Sequence, residues 1–408
     1  MSRIDELIAE YCPDGVECKP LGAIADLYRG NGLQKKDFTD NGVGCIHYGQ
    51  IYTRYGTFAT KTISFVDEDL AAKLLKVLPN DLIVTATSEN LEDVCKTVAW
   101  LGDTDIVTGG HSIVVRHHQN AKYLAYYFQT RDFFQAKRAY VHGTKVMEIK
   151  KDDLAKIIVP VPPLPVQEEI VRILDSFSAL EAELEAELEA RRKQYAHYRD
   201  ELLKFDRERV PWLKLGNVGT FIRGNGIQKK DFQDSGVGCI HYGQIYTYYG
   251  LFADQTKSFI DPQLAEKRKK AHQGDLVVAT TSENEEDVCK ACAWLGENPI
   301  AVSGDAYIFR HHQSPKYMAY CFQSELFQRQ KKKFITGTKV LRVNGDAMAK
   351  IEIPIPPMEE QLRIVSILDR FDKLANDLSD GLPAEIEARR KQYEYYRDRL
   401  LSFDELVA

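Results

Sequence analysis

Residues 30–50 read GNGLQKKDFTDNGVGCIHYGQ, and residues 224–244 read GNGIQKKDFQDSGVGCIHYGQ. Eighteen of these 21 positions are identical, at an offset of 194 residues. The same offset aligns two further motifs, Thr-Ser-Glu-Asn at 87–90 with 281–284 and Gly-Thr-Lys at 143–145 with 337–339. Solenoid repeats have periods of about 20–50 residues, far shorter than this offset. The chain therefore contains one domain twice.

The first part of each copy has the pattern of a strand-rich globule. Short β-branched runs such as 82–87 and 94–100 are bounded by Asn, Asp and Gly, as strands are. The loop 88–93 between these runs predicts a hairpin connection, and segments 123–138 and 317–333 have helical composition. We therefore expect a mixed α/β globule with a curved, mostly antiparallel sheet.

The second part of each copy predicts a long helix. It begins after the prolines at 160–163, which end a strand and forbid helix. Apolar residues then recur at steps of four and three with one stutter, as in a coiled coil of about 40 residues and roughly 60 Å. Arg191 fills one position of this seam, and Gly381 and Pro383 should kink or interrupt the second helix. The seam positions are Val166, Ile170, Ile173, Phe177, Leu180, Leu184, Leu188, Tyr195, Tyr198, Leu202 and Phe205, then Ile364, Ile367, Phe371, Leu374, Leu378, Ile386, Tyr393, Tyr396, Leu400 and Phe403.

The predicted fold is α/β (α+β), with two duplicated domains and two long antiparallel coiled-coil helices in a pseudo-twofold arrangement. A lone helix of this kind is marginally stable, so the two helices should bury their seams against each other. Because the chain starts and ends late in the repeat, its two ends are expected to meet. The predicted boundaries are 1–165 for the first domain with a short N-terminal helix, 166–208 for the first helix, 209–357 for the second domain and 358–408 for the second helix.

The distribution of charge permits a nucleic-acid partner although the net charge is −6. Residues 166–206 carry 11 acidic and 6 basic side chains, and residues 358–405 carry 12 and 8, so the remainder of the chain is mildly basic. Eight cysteines are too sparse for a disulfide scaffold in 408 residues. No apolar run reaches a membrane span, and residues 1–20 lack the apolar core of a signal peptide. We expect a cytoplasmic protein with reduced thiols.

The sequence contains no legible catalytic or metal site. An adenine methyltransferase needs Asn or Asp before Pro-Pro-aromatic, whereas these proline pairs precede Leu164 and Met358, and a Gly-Lys-Ser/Thr phosphate loop is missing. The Cys-x-x-Cys of the second copy has Val98 in place of one cysteine in the first, which favours buried thiols over metal binding. Glu89 and Asp93 are a candidate acid pair, but they flank a predicted loop, so we favour roles in forming the turn. We expect neither catalytic residues nor metal ligands.

Four polar segments of each copy suit nucleic acid. A Gly-rich turn delivers a glutamine and two lysines toward phosphates, and a Tyr-rich motif interleaves aromatic rings with an amide and a hydroxyl. Gln addresses adenine bidentately, Thr contacts the thymine methyl group, and Glu accepts from cytosine N4. The candidate DNA-binding residues are Gln34, Lys35, Lys36, His47, Tyr48, Gln50, Tyr52, Thr53, Ser88, Glu89, Asn90, Thr144 and Lys145, with Gln228, Lys229, Lys230, His241, Tyr242, Gln244, Tyr246, Thr247, Ser282, Glu283, Asn284, Thr338 and Lys339 in the second copy.

Two alternatives compete with this interpretation of the loops. Single Lys-Lys turns are usually solvated and Tyr-rich strands are usually core, and a recent duplication preserves identical loops without selection. If the loops do contact DNA, the lysines should govern affinity, the amides should govern specificity, and the two halves of the target should be alike. Four differing polar positions are where that symmetry would break: Arg54/Tyr248, Thr57/Leu251, Thr60/Asp254 and Lys61/Gln255.

The layout resembles the specificity subunit of type I restriction–modification systems. The resemblance covers essentially the whole chain, and its most recognisable part runs from Gly-Thr-Lys at 143–145 through the prolines at 160–163 to Gln167 and Ile170. In the second copy the corresponding helix start reads Pro-Pro-Met-Glu-Glu-Gln at 356–361, whereas the first copy has Val166 before the glutamine. The loops that read DNA differ among members of this family, so the target cannot be carried over.

The resemblance implies a non-catalytic subunit. Each α/β domain would be a target-recognition domain for one half of a split DNA site, and the helices would serve as spacer and as docking surface for two methyltransferase subunits. S-adenosylmethionine, ATP and Mg are expected on partner subunits, including a restriction subunit that translocates and cleaves, and no cofactor is expected on this chain. Two other classes stay open: an enzyme in its own right, and a coiled-coil scaffold that binds RNA or protein.

Overall fold

The computed structural model describes residues 2–376 and 381–406, with side chains up to Lys373 and again from Gly381. The seam positions Leu374 and Leu378 therefore lie outside the described side chains. The chain divides into two compact units, unit 1 comprising Met1–Leu184 and Ile386–Ala408 and unit 2 comprising Glu185–Glu385. Each unit thus combines one strand-rich domain with segments of both long helical regions.

The first copy contains short strands and helices followed by one long helix, α8. Its strands are β1 Cys18–Pro20, β2 Ala25–Arg29, β3 Val43–Ile46, β4 Phe58–Ala59, β5 Ser64–Val66, β6 Leu75–Val77, β7 Leu82–Thr85, β8 Thr87–Ser88, β9 Thr97–Trp100, β10 Ile106–Thr108, β11 Ser112–His117, β12 Met147–Glu148 and β13 Ile158–Pro160. Its helices are α1 Arg3–Tyr11, α2 Leu21–Ile24, α3 Tyr48–Thr53, α4 Glu68–Ala71, α5 Ala121–Tyr127, α6 Arg131–Arg138, α7 Lys151–Leu154 and α8 Leu164–Leu202, with a 3-10 turn at Lys35–Asp37.

The second copy repeats this order. Its strands are β14 Trp212–Lys214, β15 Gly219–Arg223, β16 Val237–Ile240, β17 Phe252–Ala253, β18 Ser258–Ile260, β19 Lys270–Ala271, β20 Leu276–Ala279, β21 Thr281–Ser282, β22 Ala291–Trp294, β23 Ile300–Val302, β24 Ala306–His311, β25 Leu341–Arg342 and β26 Glu352–Pro354. Its helices are α9 Leu215–Val218, α10 Tyr242–Thr247, α11 Pro262–Glu266, α12 Pro315–Gln323, α13 Glu325–Lys331, α14 Gly345–Met348, α15 Met358–Asn376 and α16 Leu382–Leu400, with 3-10 turns at Lys229–Asp231 and Lys332–Phe334.

Two main sheets form each strand-rich domain, where the sequence analysis predicts one. In the first copy their strand orders are β2-β11-β7-β9-β4 and β5-β3-β10-β6, and the second copy has the equivalent orders β15-β24-β20-β22-β17 and β18-β16-β23-β19. The predicted hairpin is confirmed, because β7 and β9 pair antiparallel with Leu82 opposite Ala99. The pairs β4–β9 and β3–β10 are parallel, and the other pairings within the two sheets are antiparallel.

The first sheet is buried on both faces, and the second sheet covers one of them. All four residues of β7 are buried. Leu82 and Val84 belong to the core that contains α5, whereas Ile83, between them, packs in a separate cluster with Ile46 and Trp100. A continuous apolar run is typical of a strand covered on both sides, and Leu-Ile-Val at 82–84 is such a run. The prediction of one sheet missed this signal.

Antiparallel packing of the long helices is confirmed within unit 1. The Phe177 ring of α8 lies 5.5 Å from the Tyr396 ring of α16, and four residues later Glu181 forms an ion pair with Arg390. The residue numbers of these contacts increase along α8 while they decrease along α16, so the two helices run antiparallel. In unit 2, Tyr198 and Phe371 form the equivalent stacked pair at 5.4 Å.

The predicted seam is most buried at the start of α8. Val166 and Ile170 are fully buried, whereas Leu180 is 37% exposed. Arg191 is exposed and bonds Glu187 and Gln194 of its own helix, so the prediction that it fills a seam position is wrong. The predicted interruption of the second helix is confirmed at Gly381, which precedes α16 and is not helical.

A buried glutamine attaches each long helix to its own domain. Gln167 is fully buried, and its Nε2 donates to the carbonyl of Pro162 at 2.7 Å while its Oε1 accepts the Asn120 N–H at 2.9 Å. Gln361 makes the equivalent bonds in the second copy. The glutamine after the proline cluster is therefore explained by this junction, where each amide atom satisfies a backbone group that would otherwise be buried without a partner.

The two ends of the described chain meet in unit 1, as expected. The Val16 N–H donates to the Asp404 carbonyl at 2.9 Å, and the Leu406 N–H donates to the Val16 carbonyl at 3.0 Å. Within residues 2–376 and 381–406, no helix is both long and apolar enough to cross a bilayer. The same residues contain no cluster of His, Cys, Asp and Glu suited to a metal ion.

Candidate nucleic-acid interface

The predicted His-Tyr-Gly-Gln-Ile-Tyr-Thr motif forms α3, and its own side chains close the first turn of that helix. His47 Nδ1 accepts the Gly49 N–H at 3.1 Å, and Gln50 Oε1 accepts the His47 N–H at 3.0 Å. The Gln50 Nε2 donates to the Ser64 hydroxyl at 2.7 Å. Gln244 makes the equivalent bonds at the start of α10. The motif is thus a reciprocal helix cap.

This geometry argues against the prediction that Gln50 reads adenine, and Gln244 makes the same internal bonds. Gln50 is only 9% exposed, and both of its amide atoms are bonded inside the domain. The amide therefore holds the loop that presents the motif. The spacing of a polar N-cap residue and a glutamine three positions later was the available signal.

We predict that Gln50→Ala destabilises the protein by about 1–3 kcal/mol, because it leaves the buried His47 N–H without a partner. Base preference should stay unchanged. Thermal melting and duplex competition measure the two effects, and the exposed Gln233→Ala is the matched control. A stable variant with relaxed preference at one base pair would restore the base-reading role.

Tyrosines of the motif tie α3 and α10 to the next predicted segment. The Tyr52 hydroxyl donates to the Thr87 carbonyl, and the Tyr246 hydroxyl donates to the Thr281 carbonyl at 2.7 Å. Burial raises the pKa of both phenols, so they remain neutral donors at physiological pH. The Tyr48 ring packs edge-to-face with Tyr52 at 6.2 Å. The motif therefore lies against the start of the Ser-Glu-Asn loop.

The third and fourth predicted segments are adjacent because two short strands pair. Ser88 of β8 lies opposite Met147 of β12, which places the Ser-Glu-Asn loop beside the Gly-Thr-Lys turn. Gly143 has φ +107, and a Cβ there would lie 2.1 Å from the Val146 carbonyl oxygen, so this turn requires glycine. The Asn90 amide bonds Asp93 through both of its atoms and shapes its own loop.

The lysine turn borders the same motif. Lys35 and Lys36 are exposed on the 3-10 turn, whose backbone is held by the Asp37 carboxylate accepting the Gln34 N–H at 2.8 Å. Burial and the nearby Lys35 charge lower the pKa of His47. Hence the lysine turn, α3, the Ser-Glu-Asn loop and the Gly-Thr-Lys turn are neighbours in one surface, which we call the four-segment surface of each copy.

Exposure separates the predicted residues of this surface into two groups. His47, Gln50 and Ser282 are buried, and Tyr48, Tyr52, Ser88, His241, Tyr242, Gln244 and Tyr246 are half-buried. Exposed are Gln34, Lys35, Lys36, Thr53, Glu89, Asn90, Thr144 and Lys145, together with Gln228, Lys229, Lys230, Thr247, Glu283, Asn284, Thr338 and Lys339. The exposed group is the part that can contact a ligand directly.

A buried lysine, which the sequence analysis missed, supports the Ser-Glu-Asn loop of each copy. Lys331 is fully buried, and its Nζ donates to the carbonyls of Glu286 and Val288 at 2.9 and 2.7 Å. Lys137 makes the equivalent contacts in the first copy. Burial lowers the pKa of Lys331 to about 8. The amino group of each lysine therefore lies inside the loop that contains the predicted base-contacting residue, Glu89 or Glu283.

We predict a pH-dependent contribution from Lys331 to stability. The unfolded chain holds this proton up to the ordinary pKa of 10.5, whereas the folded chain releases it near pH 8. Raising the pH through this window therefore stabilises the native protein relative to Lys331→Met, by up to about 3 kcal/mol. Urea unfolding of both proteins at pH 7.5 and 10 measures the difference. A constant difference would show that the lysine keeps its ordinary pKa.

Further differences between the copies lie next to this surface. His111, whose ring lies 4.7 Å from the Tyr48 ring, is replaced by Asp305. The guanidinium of Arg268 lies beside Gly226, just before the second lysine turn, where the first copy has Leu74. The sequence analysis does not select either residue as a site residue, because only the folded structure brings them close to the motifs.

One of the four suspected symmetry-breaking positions is internal. The Thr57 hydroxyl accepts the Gln129 amide at 3.0 Å, and Leu251, its equivalent, is 8% exposed. Both side chains are therefore engaged within their own domain. Arg54, Tyr248, Thr60, Asp254, Lys61 and Gln255 are exposed.

Comparison with known proteins identifies the family to which this duplicated chain belongs. The sequence profile of the type I restriction modification DNA specificity domain matches residues 13–190 and again residues 210–388. The chain belongs to this family. The resemblance to this family is therefore confirmed.

Relatives of the specificity family agree with this assignment. The chain is 35% identical over 260 residues to the EcoR124I/EcoR124II specificity subunit of Escherichia coli, covering 61% of this chain and 63% of that subunit. It is 30% identical over 305 residues to a putative type I specificity subunit of Haemophilus influenzae, covering 72% and 75%. The match therefore spans less than two thirds of the E. coli relative.

The fold of the chain also matches a solved structure. A chain from a study of complex assembly and conformational transition of the type I restriction–modification system aligns with a TM-score of 0.65 at 15% identity, covering 95% of this chain and 98% of that one. The shared fold extends over both copies and the helices between them.

Proposed function

We propose that this chain selects the DNA target of a type I restriction–modification complex, with each copy binding one half of a bipartite, near-palindromic site. The observation that carries this proposal is the four-segment surface, which recurs in both copies with its exposed lysines and polar loop tips. Lysines neutralise phosphates, and Glu89 or Thr144 reaches base edges.

The long helices fit the roles of spacer and docking surface. The α8 helix is continuous over 39 residues, about 58 Å, and the helical regions carry the excess acidic charge of the chain. We assign two methyltransferase subunits and the restriction subunits as partners. In this proposal S-adenosylmethionine, ATP and Mg reside on those partners, the chain itself is non-catalytic, and it works in the cytoplasm with the chromosome.

Family membership in both copies favours this role over a coiled-coil scaffold that binds RNA or protein. The test is reconstitution with the cognate methyltransferase subunit. We expect salt-dependent binding to duplex DNA and methylation of a single bipartite motif, both lost when this chain is omitted. Methylation that is independent of this chain, or equal binding to duplex RNA, would contradict the proposal.

A further inference from the structure

The two four-segment surfaces differ at the residue that immediately precedes β11 in the first copy and β24 in the second. Residues 109–112 read Gly-Gly-His-Ser, and residues 303–306 read Ser-Gly-Asp-Ala. The backbone is equivalent, because the His111 carbonyl accepts the Ala86 N–H at 2.8 Å and the Asp305 carbonyl accepts the Thr280 N–H at 3.0 Å. The imidazole of His111 and the carboxylate of Asp305 therefore occupy equivalent positions in two otherwise similar surfaces.

His111 is held against residues of the first surface while remaining exposed. Its ring is tilted by 51° to the Tyr48 ring at 4.7 Å, and its Nδ1 lies 2.9 Å from the Thr87 hydroxyl. With Nδ1 engaged, Nε2 is the ring nitrogen that remains for a ligand, and an imidazole nitrogen can donate a hydrogen bond.

Asp305 stands in the second surface beside the equivalent motif. Burial and the Asp305 charge both raise the pKa of Tyr246, and the same charge opposes the lowering of the His241 pKa by burial, so the carboxylate lies near α10. The neighbouring Ser303 hydroxyl accepts the Tyr242 N–H at 2.9 Å, a bond that Gly109 cannot make. An ionised carboxylate accepts hydrogen bonds and cannot donate them.

We infer that His111 and Asp305 are specificity-determining residues that contact the equivalent base position in the two half-sites. This inference rests on the proposed function and deepens it. Asp305 suits an exocyclic amino group, cytosine N4 or adenine N6, whereas His111 suits an acceptor such as guanine N7 or O6. The target is then an interrupted palindrome that departs from symmetry at this position.

Exchanging the two side chains tests the inference in the complex with the methyltransferase subunit. We expect Asp305→His to give a methylated motif whose two halves match at that position, with about 5–150-fold weaker binding to the original site. His111→Asp should produce the reciprocal symmetric motif. Asp26→Thr is the control, because it replaces an aspartate outside the four segments by the residue of the other copy and should leave the motif unchanged.

The outcomes separate this inference from the proposed function. Two exchanged variants that methylate the original motif fully would overturn the inference alone. A wild-type complex without any bipartite motif would overturn the proposed function. If one exchange prevents folding, as shown by thermal melting, the reciprocal exchange decides, since each variant predicts its own symmetric motif.

Discussion

Alanine at Lys35 and Lys36 is expected to lower affinity for every duplex alike, and alanine at Lys229 and Lys230 is expected to do the same. These four lysines are exposed on the 3-10 turns that border the Tyr-rich motifs. Each lost phosphate contact should flatten the salt dependence of binding by about one unit, so each double variant loses about 50-fold in affinity near 0.1 M salt and the quadruple variant about 10³-fold.

The matched control for each lysine pair is the double variant of Lys156 and Lys350, which are exposed and equivalent in the two copies but lie outside the four segments. It removes the same charge and should leave the salt slope within measurement error. A lysine variant with an unchanged slope would mean that these turns do not face phosphates, whatever happens to its affinity.

Changing the length of α8 is expected to change the distance between the half-sites. Four residues inserted or deleted near 184–188 alter the helix by about 6 Å, which corresponds to one or two base pairs of B-DNA. The second copy already carries four extra residues in its helical region, with the repeat offset growing from 194 to 198. Recognition of the original target should fall by about 10³-fold, because only one half-site can be bound in register.

The spacing prediction has an internal control. The bases of each half-site should stay the same while the number of unspecified base pairs between them changes. Sequencing of methylated DNA reports both properties in one experiment. A spacer that stays fixed through several insertions and deletions, with methylation retained, would show that spacing is set elsewhere.

The sequence predicts the features that local patterns specify. Duplication is visible as identity, the hairpin from β7 to β9 as β-branched runs around a polar loop, and the long helices as heptads. The two-sheet arrangement escaped prediction because Leu82, Ile83 and Val84 were treated as one of several short runs, although alternate members face different cores.

Site residues were predictable by segment but not by role. All four polar segments lie together as a group, yet Gln50 is committed to a helix cap and to Ser64. The supporting role of Lys331 and the position of Asp305 near His241 depend on interactions between residues 43 or more positions apart. No local sequence pattern encodes such interactions. The sequence therefore predicts which segments form the surface but not the role of each side chain in it.

The most direct test of half-site recognition by each copy is the methylation motif of a chain in which the first copy replaces the second. Residues 20–160 are placed in the positions of 214–354, and the protein is paired with the cognate methyltransferase subunit. We expect a perfectly symmetric interrupted palindrome, built from the half-site that the first copy reads in the native protein. An asymmetric motif, or the native motif unchanged, would contradict the assignment of one half-site to each copy.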